Sequence, residues 1–398
     1  MFGVTRTKSP RKAGPANSVV SSSMPKACLL PVLAESRHDR GRNAYFAKGQ
    51  FLARQDRWET LGRLIAETDR TRTTTPSGET LAAVLAIGAR DDAVRHARGA
   101  ISGPDCPLPG GILALDEIAK DHPESWAITL VAARAHIDCA WAFEGQVDPY
   151  ALPYAPSDAF MDRLAVASEM LATAEELAPN SAEIAAAKCD LLAAVPEAEN
   201  LVDALHYDVI QSDPGNPGRL RSYGVHLLPR WFGSYGRLAQ KSEQLAQELC
   251  GDWGDRAYTW MWFDALRLDP EAGETLDPAR FVAGLHAILA GSTDPHLANL
   301  LAAYVDGMKP AAAPEDLSSE ATQVRRVIHA SLPDLTDQHL TELHPQVWAR
   351  ADAMPGATHA GPLSSGRIAA ATAQAKSAVD AALAARSLAE NAGLERQA

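Results

Sequence analysis

The run Asp213-Pro214-Gly215-Asn216-Pro217, followed by Leu220, Gly224 and Leu227, constrains the fold more than any other part of this chain. Pro214 cannot continue a helix, because it lacks an N–H and its ring blocks an interior position, and Gly215 supplies free dihedrals for a turn. One helix therefore ends near Ser212. Asn216 can accept hydrogen bonds from the first amides of a second helix, with Pro217 at the position where a missing donor costs nothing. Leu220, Gly224 and Leu227 then share one face of that helix, and Gly224 leaves room for a neighbour to approach. Two helices joined by a proline-broken turn are the unit of a helical hairpin array.

Other boundaries agree with a succession of helices. Helices are expected over Asp158–Leu177, over Ser181–Ala194 behind an Asn180/Glu183 capping box, and over Tyr235–Leu249 and Arg256–Leu268. Asp277-Pro278 and Asp294-Pro295 each set a cap residue before a first-turn proline. Nearer the N-terminus, Ala44–Leu52 pairs with a helix that Asp56 and Glu59 open as a capping box. Toward the C-terminus a helix over Thr336–Ala351 is kinked or broken at Pro345. No segment combines alternation, β-branched enrichment and hairpin turns. The expectation is an all-α fold.

The joint at Asp213 resembles the end of one tetratricopeptide repeat and the start of the next. In that family an Asp-Pro turn precedes a helix carrying a large apolar residue, then Gly, then another apolar residue. Tyr223 stands where the family's signature carries Leu, whereas Ala167, Leu171, Ala174 and Pro179 follow the spacing of its second helix. The resemblance implies stacked helical hairpins in a tetratricopeptide-like α-solenoid. A second resemblance, at Pro229-Arg230-Trp231-Phe232-Gly233-Ser234, is to an uncharacterised bacterial family known only as a domain of unknown function. It implies a helical domain over roughly residues 110–310 and supplies no activity.

Composition divides the chain further. Of the 398 residues, the first 43 carry a net +6 and leave −19 for the rest, out of −13 overall. That segregation reads as a basic, disordered leader over residues 1–43 ahead of an acidic body, with helical hairpins over 44–105, the tetratricopeptide-like domain over 106–310, further helices over 311–354 and an Ala-rich tail over 355–398. An acidic body is a poor partner for nucleic acid. The most apolar span, Trp126–Phe143, is interrupted by Arg134, His136 and Asp138 and reads as a buried helix, not a membrane span. An odd number of widely spaced cysteines, with no Cys-x-x-Cys, suits reduced thiols in the cytoplasm.

No nucleophile elbow, phosphate loop, metalloprotease helix or dinucleotide fingerprint occurs, so neither a catalytic residue nor a cofactor nor a metal ligand is assigned. His136 and Cys139 lie one helical turn apart and frame the alternative of an enzyme of unfamiliar class. Trp231, Phe232, Tyr235, Trp253, Tyr258, Trp260, Trp262 and Phe263 are concentrated in one stretch of a chain that is only 6% aromatic. They are inter-helix core or, together with nearby arginines, the anchors of a peptide groove. On the second reading the binding residues are Arg219, Arg221, Arg230, Trp231, Tyr235, Trp253 and Trp260, the ligand is a protein or peptide, and the chain is a non-catalytic scaffold.

Overall fold

The computed structural model describes residues 30–75, 78–103, 105–144, 157–351 and 363–395. Residues 1–29 of the expected leader lie outside that range. Among the described residues the architecture is all-helical, with isolated bridges only at Val32/Leu343 and Thr74/Thr80. The first helices are α1 (Arg37–Arg54), α2 (Trp58–Arg70), α3 (Leu81–Ala100), α4 (Gly110–Asp121), α5 (Trp126–Glu144), α6 (Asp158–Leu177) and α7 (Ala182–Asp190). They are followed by α8 (Val202–Ser212), α9 (Pro217–His226), α10 (Tyr235–Glu248), α11 (Asp255–Phe263), the single turn α12 (Ala265–Leu268), α13 (Pro278–Ala290) and α14 (Pro295–Gly307). The chain ends with α15 (Ser319–His329), α16 (Leu332–His339), α17 (Pro345–Arg350) and α18 (Ser365–Glu395).

The proline-marked boundaries fall where the residues place them. Ser212 ends α8, and the Asn216 side chain accepts from the Gly218 amide at 2.8 Å to open α9. Asp277 and Asp294 cap α13 and α14 in the same manner. Two expected capping boxes are absent. Asp56 adopts a left-handed backbone (φ 54°) and α2 starts without a side-chain cap. Ser181, not Asn180, caps α7, and Glu183 is drawn away to a long-range partner. The first helix also starts earlier than expected, at Arg37, because Ser36 and Asp39 form a reciprocal capping box. Residues 37–43 are thus helix, not leader. The kinked Thr336–Ala351 helix is two helices, α16 and α17, divided before Pro345.

Helices two apart in sequence lie side by side in two runs, α1/α3/α5 and α9/α11/α13/α15. The intervening α2 and α10 cover them, packing on α3 and α11 respectively. Small residues permit the tightest crossings. A Cβ on Gly224 would run into the Met261 carbonyl of α11, and one on Gly88 into the Phe46 carbonyl of α1. Leu220, Tyr223 and Leu227 are buried at the same seam.

Packing crosses the expected domain breaks. Leu52, Leu85, Ile112 and Val131 belong to one core cluster spanning residue 105, and Phe281, Tyr304, Ile328 and Trp348 to another spanning residue 310. The Ala-rich tail docks on α16 and α17 through Ala371, Ala375, Ala378, Val379 and Ala382. Of the larger apolar residues there, Val379 is buried, while Ile368 and Leu383 are half-exposed. Alanine, being small, brings a helix axis close to its neighbour, so this face packs with few large side chains.

The N-terminal segment reaches across to the C-terminal helices. Leu33 donates its amide to the Leu343 carbonyl (2.9 Å), Leu343 donates back to Pro31 (2.8 Å), and the Gln346 side chain donates to Ala34 (2.7 Å). The two ends of the helical series are therefore tied together.

Candidate functional site

A cleft of about 250 Å³ opens where α3, α5, α7 and α9 meet. Its floor is apolar, made by Ala83, Ala86, Ile87 and Leu130, and Arg90, Arg134 and Arg219 stand along its wall. Each guanidinium comes from a different helix, and each is held by a carboxylate. Arg90 Nε donates to Asp138 (2.7 Å), Arg134 pairs with Asp190, and Arg219 bridges Glu183 (2.8 Å) and Asp213 (3.1 Å). The cations are preoriented, since little rotamer freedom is left to lose when a ligand arrives.

Glu183 is the centre of this junction. It is 2% exposed, and its carboxylate accepts from the Thr80 hydroxyl (2.6 Å) as well as from Arg219. Burial pushes its pKa upward, but the charges of Arg219 and Arg134 outweigh burial and hold it below the ordinary glutamate value. Its own amide donates to Asp69 at 3.2 Å. Asp69 is shifted the other way, first by burial and then by the negative charge of Glu183. Asp213 also accepts from the Asn216 side chain (2.7 Å), so the cap of α9 and the charge network share one carboxylate.

Of the arginines and aromatics singled out in the sequence, Arg219 lines the cleft, and Arg221, Tyr235, Trp253 and Trp260 are engaged in contacts around α9–α13. Arg221 makes a bidentate pair with Asp264 (2.8 and 2.9 Å) and lies over the Trp260 and Phe263 rings. Trp260 is 3% exposed and belongs to the core. Trp253 donates its indole N–H to the Pro214 carbonyl (2.7 Å) beneath Arg256 and so covers the joint. Tyr235 donates to Asp269 (2.9 Å). Trp231, half-buried beside the similarly exposed Arg230, makes an edge contact with Trp141 at 6.1 Å. Arg90 and Arg134 carried no motif. The interruptions in the apolar α5 run, Arg134 and Asp138, are the signal that could have pointed to them.

A second polar cluster lies at the tie between the chain ends. His38, Asp39 and His296 are the one group among the described residues whose metal-donor atoms lie within 4.8 Å of one another. The two imidazoles stack face to face, with centroids 3.9 Å apart and planes 23° apart. Lone pairs lie in the ring planes, so those of stacked rings run side by side and do not converge on one ion. Arg350, 3.3 Å from Asp39, adds a positive charge. The cluster is a clasp between rings, not a coordination shell. The Ser36 hydroxyl donates to Asp39 (2.8 Å), so its 3.1 Å contact with His296 requires Nδ1–H of His296 as the donor.

The thiol and imidazole of α5 do not form a nucleophile pair. His136 Nε2 is 2.8 Å from Asp116, and burial pushes the Cys139 thiol up to about 11, the reverse of activation. Cys189 is likewise pushed up to about 12 by burial and the charge of Asp190. No helix among the described residues is long and apolar enough to cross a membrane. No family model matches the chain, and no match is found among curated proteins or solved structures.

Proposed function

We propose that this chain is a non-catalytic cytoplasmic scaffold of stacked helical hairpins, akin to tetratricopeptide arrays, that seats an acidic segment of a protein partner in the cleft between α3, α5, α7 and α9. The observation that carries the reading is the convergence of Arg90, Arg134 and Arg219 from three helices on one apolar-floored cleft. A peptide carboxylate entering there meets guanidiniums whose orientation is already set by Asp138, Asp190 and Glu183, while neighbouring aliphatic side chains rest on Ile87 and Leu130. The side-by-side packing of alternate helices, and the proline joint with its close approach at Gly224, support the hairpin-array part of the reading. The deactivated Cys139 favours a binder over the alternative of an enzyme built on His136 and Cys139.

Short peptides of graded Asp/Glu content, titrated against the protein by fluorescence anisotropy, test the proposal. Acidic peptides are expected to bind, to weaken with added salt, and to lose about tenfold in affinity in Arg134→Gln, the loss of one charge-assisted contact. If acidic peptides bind the parent and Arg134→Gln equally, the cleft is not the site. Loss of binding in Trp231→Ala alone would move the site to the aromatic surface beside Trp141.

A further inference from the structure

The clasp between the chain ends carries an inference independent of the cleft. Residues 260 positions apart, Ser36 and His296, are joined by a buried hydrogen bond, and the adjoining His38 and His296 rings are stacked with 7% and 6% exposure. Two neutral imidazoles stack favourably. Two imidazolium rings at 3.9 Å, shielded from water, repel each other, and Asp39, the anion that acts most strongly on His38, is already shared with Ser36 and Arg350.

We propose that this clasp is an acid-released latch: proton uptake by the His38/His296 pair separates the N-terminal segment and the start of α1 from α14 and α17. The release is local. At the tie Leu33 donates to Leu343 and Leu343 donates to Pro31, Leu30 rests on the core, and Gln346 and Arg350 add side-chain contacts, whereas α1 itself stays packed on α3.

The charges facing the pair set its window. His38 faces Asp39, Glu79 and Asp294, which favour its protonation, and Arg42, which opposes it; burial outweighs them and holds it below its ordinary 6.5. His296 is lowered to about 3 by burial and then by His38, with His344 and Arg350 adding to the lowering and Asp39 opposing it. Both groups are depressed in the closed form, so the closed form excludes protons that the open form accepts near 6.5. The latch is therefore insensitive to pH above about 6.5 and weakens as pH falls below it. At about pH 5 the His296 proton alone shifts the equilibrium roughly 30-fold toward the open form, and His38 adds to it.

Hydrogen exchange of the Leu33 and Leu343 amides, corrected for intrinsic exchange and followed from about pH 8 to about pH 5, reads the latch directly. The expected result is a loss of protection of at least tenfold at these amides, with the α5 and α11 amides unchanged. In His38→Phe/His296→Asn, which keeps a ring at residue 38 and a donor to Ser36 but no titrating imidazole, protection should no longer depend on pH. Constant protection in the parent, or an equal loss in the double variant, overturns the proposal. If the double variant does not hold these amides at about pH 8, the parent's imidazole C2 protons decide. Titration near 6.5 with the amides still protected overturns it, and imidazoles that titrate only as the amides lose protection support it.

Discussion

The α3/α7/α9 junction and the His38/His296 clasp both bury polar side chains between segments distant in sequence, yet they handle charge in opposite ways. At the junction, Arg219 lies between Glu183 and Asp213, and the Thr80 hydroxyl completes the shell, so the buried Glu183 is kept ionised by its neighbours. At the clasp, two imidazoles are kept neutral by burial against an already committed Asp39. The consequence is two pH windows. Glu183 has a depressed folded pKa, so its contribution is full above the ordinary 4.5 and is lost as pH falls below it. The clasp starts to loosen below about 6.5. Between those values the junction holds while the clasp opens, which suits the proposed role of the cleft in a body with a releasable end.

The sharpest way to break this comparison is to remove the cation at the junction. Arg219→Met leaves Glu183 and Asp213 buried without their guanidinium, an arrangement that costs roughly 3–5 kcal/mol. Urea denaturation near neutral pH should show that loss, and Glu183→Leu added to Arg219→Met should recover a large part of it. A single variant within about 1 kcal/mol of the parent would mean that the junction is held by apolar packing and that its charges are incidental.

A smaller effect is expected where packing, not charge, is perturbed. Gly224→Ala puts a Cβ against the Met261 carbonyl, which is backbone and cannot rotate away, so α9 and α11 must separate slightly. The cost is about 1–3 kcal/mol, with the clasp amides of Leu33 and Leu343 keeping their pH response. An unchanged thermal midpoint would contradict the close approach.

Gly224 also shows what was legible beforehand. The helix end at Ser212, the cap at Asn216 and the face of Leu220, Gly224 and Leu227 rest on local rules of dihedrals and periodicity, and local rules are written in adjacent residues. Long-range partners leave no such trace. Glu183 has the spacing of a capping-box residue, yet Arg219 and Thr80 offer it stronger donors, and Ser181 takes the cap. His38 and Asp39 sit in a basic stretch that resembles a leader, and nothing near them in sequence announces His296. Arg90 and Arg134 are visible only as charges within apolar helices, and their convergence depends on how α3 packs against α5. The Ala-rich tail illustrates the remaining gap, because counting large apolar residues misses a face built from alanine.

The mildest test joins the two halves of the comparison at one residue. Asp294 caps α14, accepting from the His296 amide at 2.8 Å, and its charge also faces His38 and favours the protonated imidazole. Asp294→Ala should therefore cost about 1 kcal/mol through the lost cap. It should also make His38 harder to protonate while the clasp is closed, so the closed form tolerates acid less well and the release of the Leu33 amide should shift slightly to higher pH. Asp294→Asn keeps an acceptor for the cap while removing the charge, and it separates the effects: stability close to the parent, with the same upward shift of the release. If Asp294→Asn instead releases at the parent's pH or lower, the facing carboxylate does not act on His38 as the geometry requires.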